Sequence, residues 1–309
     1  MASIKQARVI QWEKWQEDVC HVLCEMIEPK ELGFKGGQYI IVNSGEILPN
    51  GKLGKRAYSI LSLDSEQHYF ELAVKRISQG VGSGFMHELK VGDVFEFSGP
   101  WGKYQIAPGN QEQRVLCIAT DTGITAALGL SRGEALKPFL EESKLIWIVS
   151  SLDYFIPVPR VQSWLPQSLF FQWVLPVPVV GDESRMESSA AATKFSGISS
   201  GTSARGASPP SASRPLVGTE HPPIVGEQVP PHPLSALAEY KTKESCKGTI
   251  EEKTAQILGD QIFTKIYLSG DGQVLRKLKD GFLMSGDYQE DQIVVESFFH
   301  HESLKSLAV

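Results

Sequence analysis

Val115-Leu116-Cys117-Ile118-Ala119-Thr120-Asp121-Thr122-Gly123-Ile124-Thr125 divides this 309-residue chain into two unlike halves. Val115 to Ala119 is unbroken apolar sequence, the pattern of a strand buried on both faces. A turn containing Gly123 follows, and then Ile124, Ala127 and Leu128 recur at helical spacing. A strand, a glycine turn and a helix in that order place the helix N–H groups at the carboxyl end of a parallel strand. Open α/β sheets bind nucleotides there. The turn does not read G-x-G-x-x-G, which excludes the two-glycine dinucleotide fingerprint.

Toward the C-terminus, Lys144 to Val149, Phe171 to Val177, Ile266 to Ser269 and Gln292 to Glu296 read as further strands, and Val274, Leu275 and Leu278 mark a helix. Strands alternating with helices predict an open parallel sheet. Residues 181–246 interrupt this pattern. They are rich in Ser, Ala, Gly and Pro, with Pro209-Pro210, Pro222-Pro223 and Pro230-Pro231. Such a composition buries too little apolar surface to offset chain entropy and predicts a disordered insertion. A docking arm for a partner is the functional alternative.

Toward the N-terminus, six short alternating runs (Ala7 to Gln11, Val19 to Met26, Gln38 to Val42, Tyr58 to Leu63, Tyr69 to Arg76, Val94 to Ser98) lie between Gly, Pro and Asn signals. They predict a small antiparallel barrel. One helix is expected within it, from Ser83 or Gly84 to Leu89, ended by the turn at Val91-Gly92-Asp93. The predicted fold is therefore β + α/β: an antiparallel β-barrel over residues 1–110, then a parallel-sheet α/β domain over residues 111–309.

Lys plus Arg number 30 against 36 Asp plus Glu, a net charge of −6. This balance argues against nucleic acid as a main partner. The apolar runs Leu145 to Val149 and Phe170 to Val180, the latter broken by Pro176 and Pro178, fall short of the roughly 20 residues of a membrane span. Met1 to Arg8 has no apolar signal-peptide core, so a cytoplasmic location is expected. The four cysteines suggest no framework. Cys20 and Cys24 on one strand would stand about 13 Å apart, too far for a disulfide. No metal site is expected, because neither the cysteines nor the seven histidines show ligand spacing.

Two segments carry candidate chemistry in the first half. Arg56-Ala57-Tyr58-Ser59 offers a guanidinium for phosphate, a planar ring for a flat heterocycle and a hydroxyl for a ring nitrogen. Gly80-Val81-Gly82-Ser83-Gly84 allows close backbone approach before a helix start, with Ser83 as its N-cap. A surface arginine beside a half-buried tyrosine, and a plain helix cap, are the purely structural readings of the same residues.

Taken in order, these segments resemble the ferredoxin–NADP reductase superfamily, an FAD-binding barrel followed by an NAD(P)-binding α/β domain. Arg56, Tyr58 and Ser59 match R-x-Y-[ST]. Gly37-Gln38-Tyr39, Gly99-Pro100-Trp101-Gly102, Thr120 to Thr125, Tyr267-Leu268-Ser269-Gly270 and Glu296-Ser297-Phe298-Phe299 resemble other segments of the family.

The resemblance implies that Arg56 binds the flavin phosphates, that Tyr58 stacks on the ring and that Ser59 lies near its N5. It implies that Gly82, Ser83 and Gly84 hold the flavin pyrophosphate, and that Thr122 and Gly123 face the dinucleotide pyrophosphate. Ser269 and Gly270 would lie near the nicotinamide, with Glu296 and Phe298 closing the site. The implied activity is hydride transfer from NAD(P)H to FAD, then electron delivery to a separate acceptor: a ferredoxin, an oxygenase component or a small molecule. FMN in place of FAD stays open. Ser150-Ser151-Leu152-Asp153 leans to NADH over NADPH, and Arg185 could reverse that.

Asp121 stands where the family has Gly, which predicts weakened dinucleotide binding. Ala126 and Ser269 replace the usual Pro and Cys. An FAD-bearing electron-transfer subunit with weakened nicotinamide use, and a catalytically degenerate interaction protein, are the alternatives.

Overall fold

The computed structural model describes residues 3–106, 114–149, 155–174 and 250–299. The insertion 181–246, Ser150 to Asp153, Arg185, Cys246 and the residues around the expected 110/111 boundary lie outside them.

Six strands form the first sheet: β1 (Lys5–Gln16), β2 (Val19–Glu28), β3 (Tyr39–Ile47), β4 (Leu53–Ser59), β5 (Tyr69–Lys75) and β6 (Val94–Trp101). Their order is β4-β3-β6-β1-β2-β5, and every pairing is antiparallel. The two outer strands approach one another just past the end of β4. Leu61 N–H donates to Glu71 O at 2.9 Å, and Glu71 N–H donates to Ser62 Oγ at 3.0 Å. The barrel core gathers Val9, Val22, Ile40, Phe70, Phe95 and Phe97. α1 (Val81–Glu88) lies against β3, β4 and β5.

Tyr58 to Leu63 was expected as a strand, but β4 spans Leu53–Ser59. Ile60 and Leu61 are fully buried because they lead into the next packed turn, so their apolar pattern reports burial rather than strand.

The second sheet contains β7 (Val115–Thr120), β8 (Lys144–Ile148), β9 (Phe170–Val174), β10 (Lys265–Asp271) and β11 (Ile293–Phe299) in the order β11-β10-β7-β8-β9, all parallel. Every residue of β7 is buried. Side chains alternate across a strand, and the layers divide accordingly. Val115, Cys117, Ala119, Leu145 and Trp147 pack with α2 (Ile124–Arg132) and α3 (Val158–Trp164). Leu116, Ile118, Ile146 and Ile148 pack with α4 (Ile250–Leu258) and α5 (Gly272–Met284). Val19, Leu61, Ala73, Tyr104 and Ile106 from the first half join the α2 and α3 layer, so one continuous core unites the two halves.

The chain reverses direction across the sheet between β7 and β10. Their carboxyl ends form the topological switch point at which such sheets bind ligands. Among the described residues, no helix is long and apolar enough to cross a membrane, no group of acidic, thiol and imidazole side chains could hold a metal, and Cys20, Cys24 and Cys117 are buried.

Candidate active site

The ladder between β3 and β4 pairs Tyr39 with Ser59 and Ile40 with Tyr58. Ser59 is buried, and its Oγ has no hydrogen-bond partner. The hydroxyl of half-buried Tyr58 is likewise buried and unpartnered, and burial pushes it well above the usual phenol range. Buried polar atoms are nearly always paired in native proteins; Ser131 Oγ, on α2, is a further buried hydroxyl without a partner. Arg56 is exposed, with Nη1 donating to Lys55 O at 3.0 Å.

Gly82 of α1 is pressed onto this strand. A methyl group there would lie 2.4 Å from Arg56 Cγ and 2.8 Å from its Cβ. Ser83 does not cap the helix. The helix begins at Val81 with Gly80 as N-cap, so Ser83 falls inside the first turn and its hydroxyl reaches back. Ser83 Oγ accepts from Ile77 N–H at 3.0 Å and donates to Gly80 O at 3.1 Å. Gly84 N–H is spent on Gly80 O at 2.8 Å. What α1 offers an anion is therefore the N–H groups of its opening residues, which have no partner four residues back.

At the switch point, two loops interlock. A methyl group on Gly123 would stand 2.2 Å from Ser269 O, and Gly270, at φ +128°, admits no side chain because Thr120 Oγ1 would lie 2.1 Å from it. Ser269 Oγ donates to Gly123 O at 2.9 Å, so Tyr104 is the donor in its 3.2 Å bond to Ser269 Oγ. Asp271 N–H donates to Thr120 Oγ1 at 2.7 Å, and the Asp271 carboxylate caps α5 by accepting from Gln273 and Val274 N–H. Thr122 O accepts from Thr125 Oγ1 at 3.0 Å.

Asp121 has φ +44°, in the left-handed region that favours glycine. A 3₁₀ turn over Asp121–Gly123 runs straight into α2, with Asp121 in its first turn. Trp147 Nε1 donates to Asp121 O at 2.9 Å and pins the turn.

The two halves meet at Glu296. It lies opposite Ser269 in the β10–β11 ladder. A methyl group on Gly102 would stand 3.1 Å from Tyr39 ring carbons and 3.4 Å from Glu296 Oε2. Backbone pairing thus sets Ser59 opposite Tyr39 and Glu296 opposite Ser269, and Gly102 lies against both Tyr39 and Glu296. Burial pushes the Glu296 carboxyl up to about 7. Burial, then the charge of Glu296, raises the Tyr39 phenol. Phe298 packs against the shared core. Tyr104, whose bond to Ser269 joins the two halves, was missed in the sequence. Nothing in its local sequence distinguishes it, since its partner is 165 residues away.

Residues 6–106 match the family described as the oxidoreductase FAD-binding domain. Over 127 residues the chain is 34% identical to ferredoxin–NADP reductase B of Sorangium cellulosum, covering 41% of this chain and 50% of that one. Over 121 residues it is 32% identical to NADH-cytochrome b5 reductase 1 of Mycosarcoma maydis, covering 39% and 36%. The chain thus spans half or less of the length of these curated relatives. A ferredoxin NADP+ reductase from Neisseria gonorrhoeae, crystallised with bound FAD and NADP, superposes with a TM-score of 0.63 at 15% identity, over 97% of this chain and all of that one. Residues 6–106 are thus similar to an oxidoreductase FAD-binding domain, and the chain shares the fold of that reductase.

The residues present fit the superfamily's FAD: an unpartnered hydroxyl on Ser59, the Tyr58 ring beside it, the exposed Arg56 guanidinium and the opening N–H groups of α1.

Proposed function

We propose that the protein is an NAD(P)H-dependent flavoprotein reductase that carries FAD, takes a hydride from the reduced dinucleotide and passes electrons to a separate acceptor. The observation that carries this reading is the buried, unpartnered Ser59 Oγ, on a strand paired at that residue with Tyr39, whose ring borders Gly102 as Glu296 Oε2 does. Bound FAD would supply the redox chemistry, accepting two electrons with the hydride from nicotinamide C4 and releasing them to the acceptor.

This chain's residues bind and align. Arg56 and the start of α1 hold the flavin phosphates, Tyr58 supports the ring and Ser59 hydrogen-bonds its edge. Ser269, fixed by Tyr104 and Gly123, and Gly270 shape the nicotinamide side. Thr122 and Gly123 face its pyrophosphate, Glu296 holds a proton near neutral pH, and Phe298 closes the site on the core. Residues 1–110 are proposed as the flavin domain and 111–309 as the nicotinamide domain, with NADH as donor and the cytoplasm as location. A ferredoxin, an oxygenase component or a small molecule is proposed as acceptor; the named relatives include reductases of the first kind and of cytochrome b5.

Purification followed by anaerobic mixing with NADH and NADPH tests the reading. Yellow protein whose flavin absorbance bleaches with NADH is the expected result, and colourless protein that refuses added FAD sinks it. Asp121 favours a second reading, an FAD-bearing electron-transfer subunit with weakened nicotinamide use; yellow protein that neither coenzyme bleaches would select it.

A further inference from the structure

We infer that α2 is the spacer that fixes the distance between the two cofactor-binding regions, and that Gly129 is the positioning residue on which the spacing turns. The inference rests on the function proposed above. At its start, α2 abuts the interlocked Gly123 and Ser269. Six residues on, a methyl group on Gly129 would stand 2.5 Å from Ile60 O and 3.0 Å from Gly37 N, and one on Gly36 would stand 2.3 Å from Gly129 O. At its end, Arg132 Nη1 donates to Leu61 O at 3.0 Å, with Glu71 as its charge partner.

Ile60 and Leu61 directly follow Ser59. The helix that begins at the nicotinamide loop therefore rests on the two residues after the flavin motif. Asp64 secures this arrangement by accepting from Gly36 N–H at 3.0 Å and from Glu134 N–H at 2.9 Å.

A helix interior favours Ala over Gly, so a glycine in the middle of α2 needs a packing reason. The reason is backbone on both sides. A carbonyl and an amide cannot swing aside as the end of a long side chain can, so a methyl group at 129 must push the helix off the barrel. A displacement near 1 Å slows an aligned reaction on the order of a hundredfold.

The test is Gly129→Ala as FAD-bearing protein, mixed anaerobically with saturating NADH. The flavin-bleaching rate constant should fall on the order of a hundredfold, with FAD content and NADH dissociation constant unchanged. Gly281→Ala, on α5 with nothing within 4 Å of the added methyl, should keep the parent rate and so exclude a generic helix effect. In the cofactor-free protein, amides of residues 58–62 and 121–124 should exchange faster together in Gly129→Ala. If that variant yields no flavoprotein, Arg132→Lys, which keeps the charge and loses the guanidinium, should slow bleaching without changing NADH affinity. A parent-like rate per bound FAD in a variant overturns the spacer role while leaving the proposed function standing. Parent protein that NADH never bleaches removes both.

Discussion

On the barrel side of the cleft, Ser59 Oγ and the Tyr58 hydroxyl are buried without partners. On the sheet side, the Ser269 hydroxyl, Thr120 Oγ1 and the Asp271 carboxylate are all hydrogen-bonded within the protein. An unpaired buried polar group costs about 1–3 kcal/mol. A surface completed by a resident group can leave its hydroxyls to that group. A surface whose ligand departs in every turnover would bear the cost each time, and here it bears none. The contrast matches the proposed division between a retained FAD and an exchanging dinucleotide.

Ser59→Ala probes the contrast most directly. It should slow NADH-driven bleaching on the order of a hundredfold, as loss of one preorganised donor does. It should also stabilise the cofactor-free protein by about 1 kcal/mol, because an unpaired hydroxyl is removed; a destabilised apoprotein in thermal unfolding would show that Ser59 has a structural partner. Ser269→Ala should act with the opposite sign. It leaves the buried Tyr104 hydroxyl and Gly123 O without their partner, and cofactor-free stability should drop by about 1–3 kcal/mol in denaturant titration.

Asp121→Gly relieves the left-handed backbone and removes a charge from the first turn of the proposed nicotinamide loop. Two unit charges about 4 Å apart in water differ by about 1 kcal/mol, so the NADH dissociation constant should tighten about fivefold. No tightening by equilibrium titration would reject the charge argument.

The smallest expected effect is at Glu296. Burial raises its folded pKa to about 7, above the ordinary carboxylate value of 4.5. The folded state therefore binds the proton more tightly, and stability falls as pH rises from about 4.5 through 7. Glu296→Gln should raise the melting temperature by a few degrees at pH 8.5, at about 2–4 °C per kcal/mol, and leave it unchanged at pH 4. Equal gains at both pH values would place the effect outside this carboxyl.

Strand β7 was legible because six consecutive buried residues admit few other readings, and the barrel strands were legible from alternation. Arg56, Tyr58 and Ser59 could be found because one strand carries all three. Ser83 was misread because a hydroxyl before a helix looks like a cap wherever the helix begins. Its true bonds follow from the helix starting two residues earlier.

By itself, the sequence determined the two layer types, their order and the residues that carry polar chemistry, since periodicity and glycine placement act over a few residues. Tertiary structure alone decided which of those residues meet. Glu296 faces Gly102 and Tyr39, Tyr104 binds Ser269, and Gly129 bears on Ile60 O. Each is a contact between segments far apart in the chain, created when two hydrophobic faces close into one core, and no local pattern encodes the register of that closure.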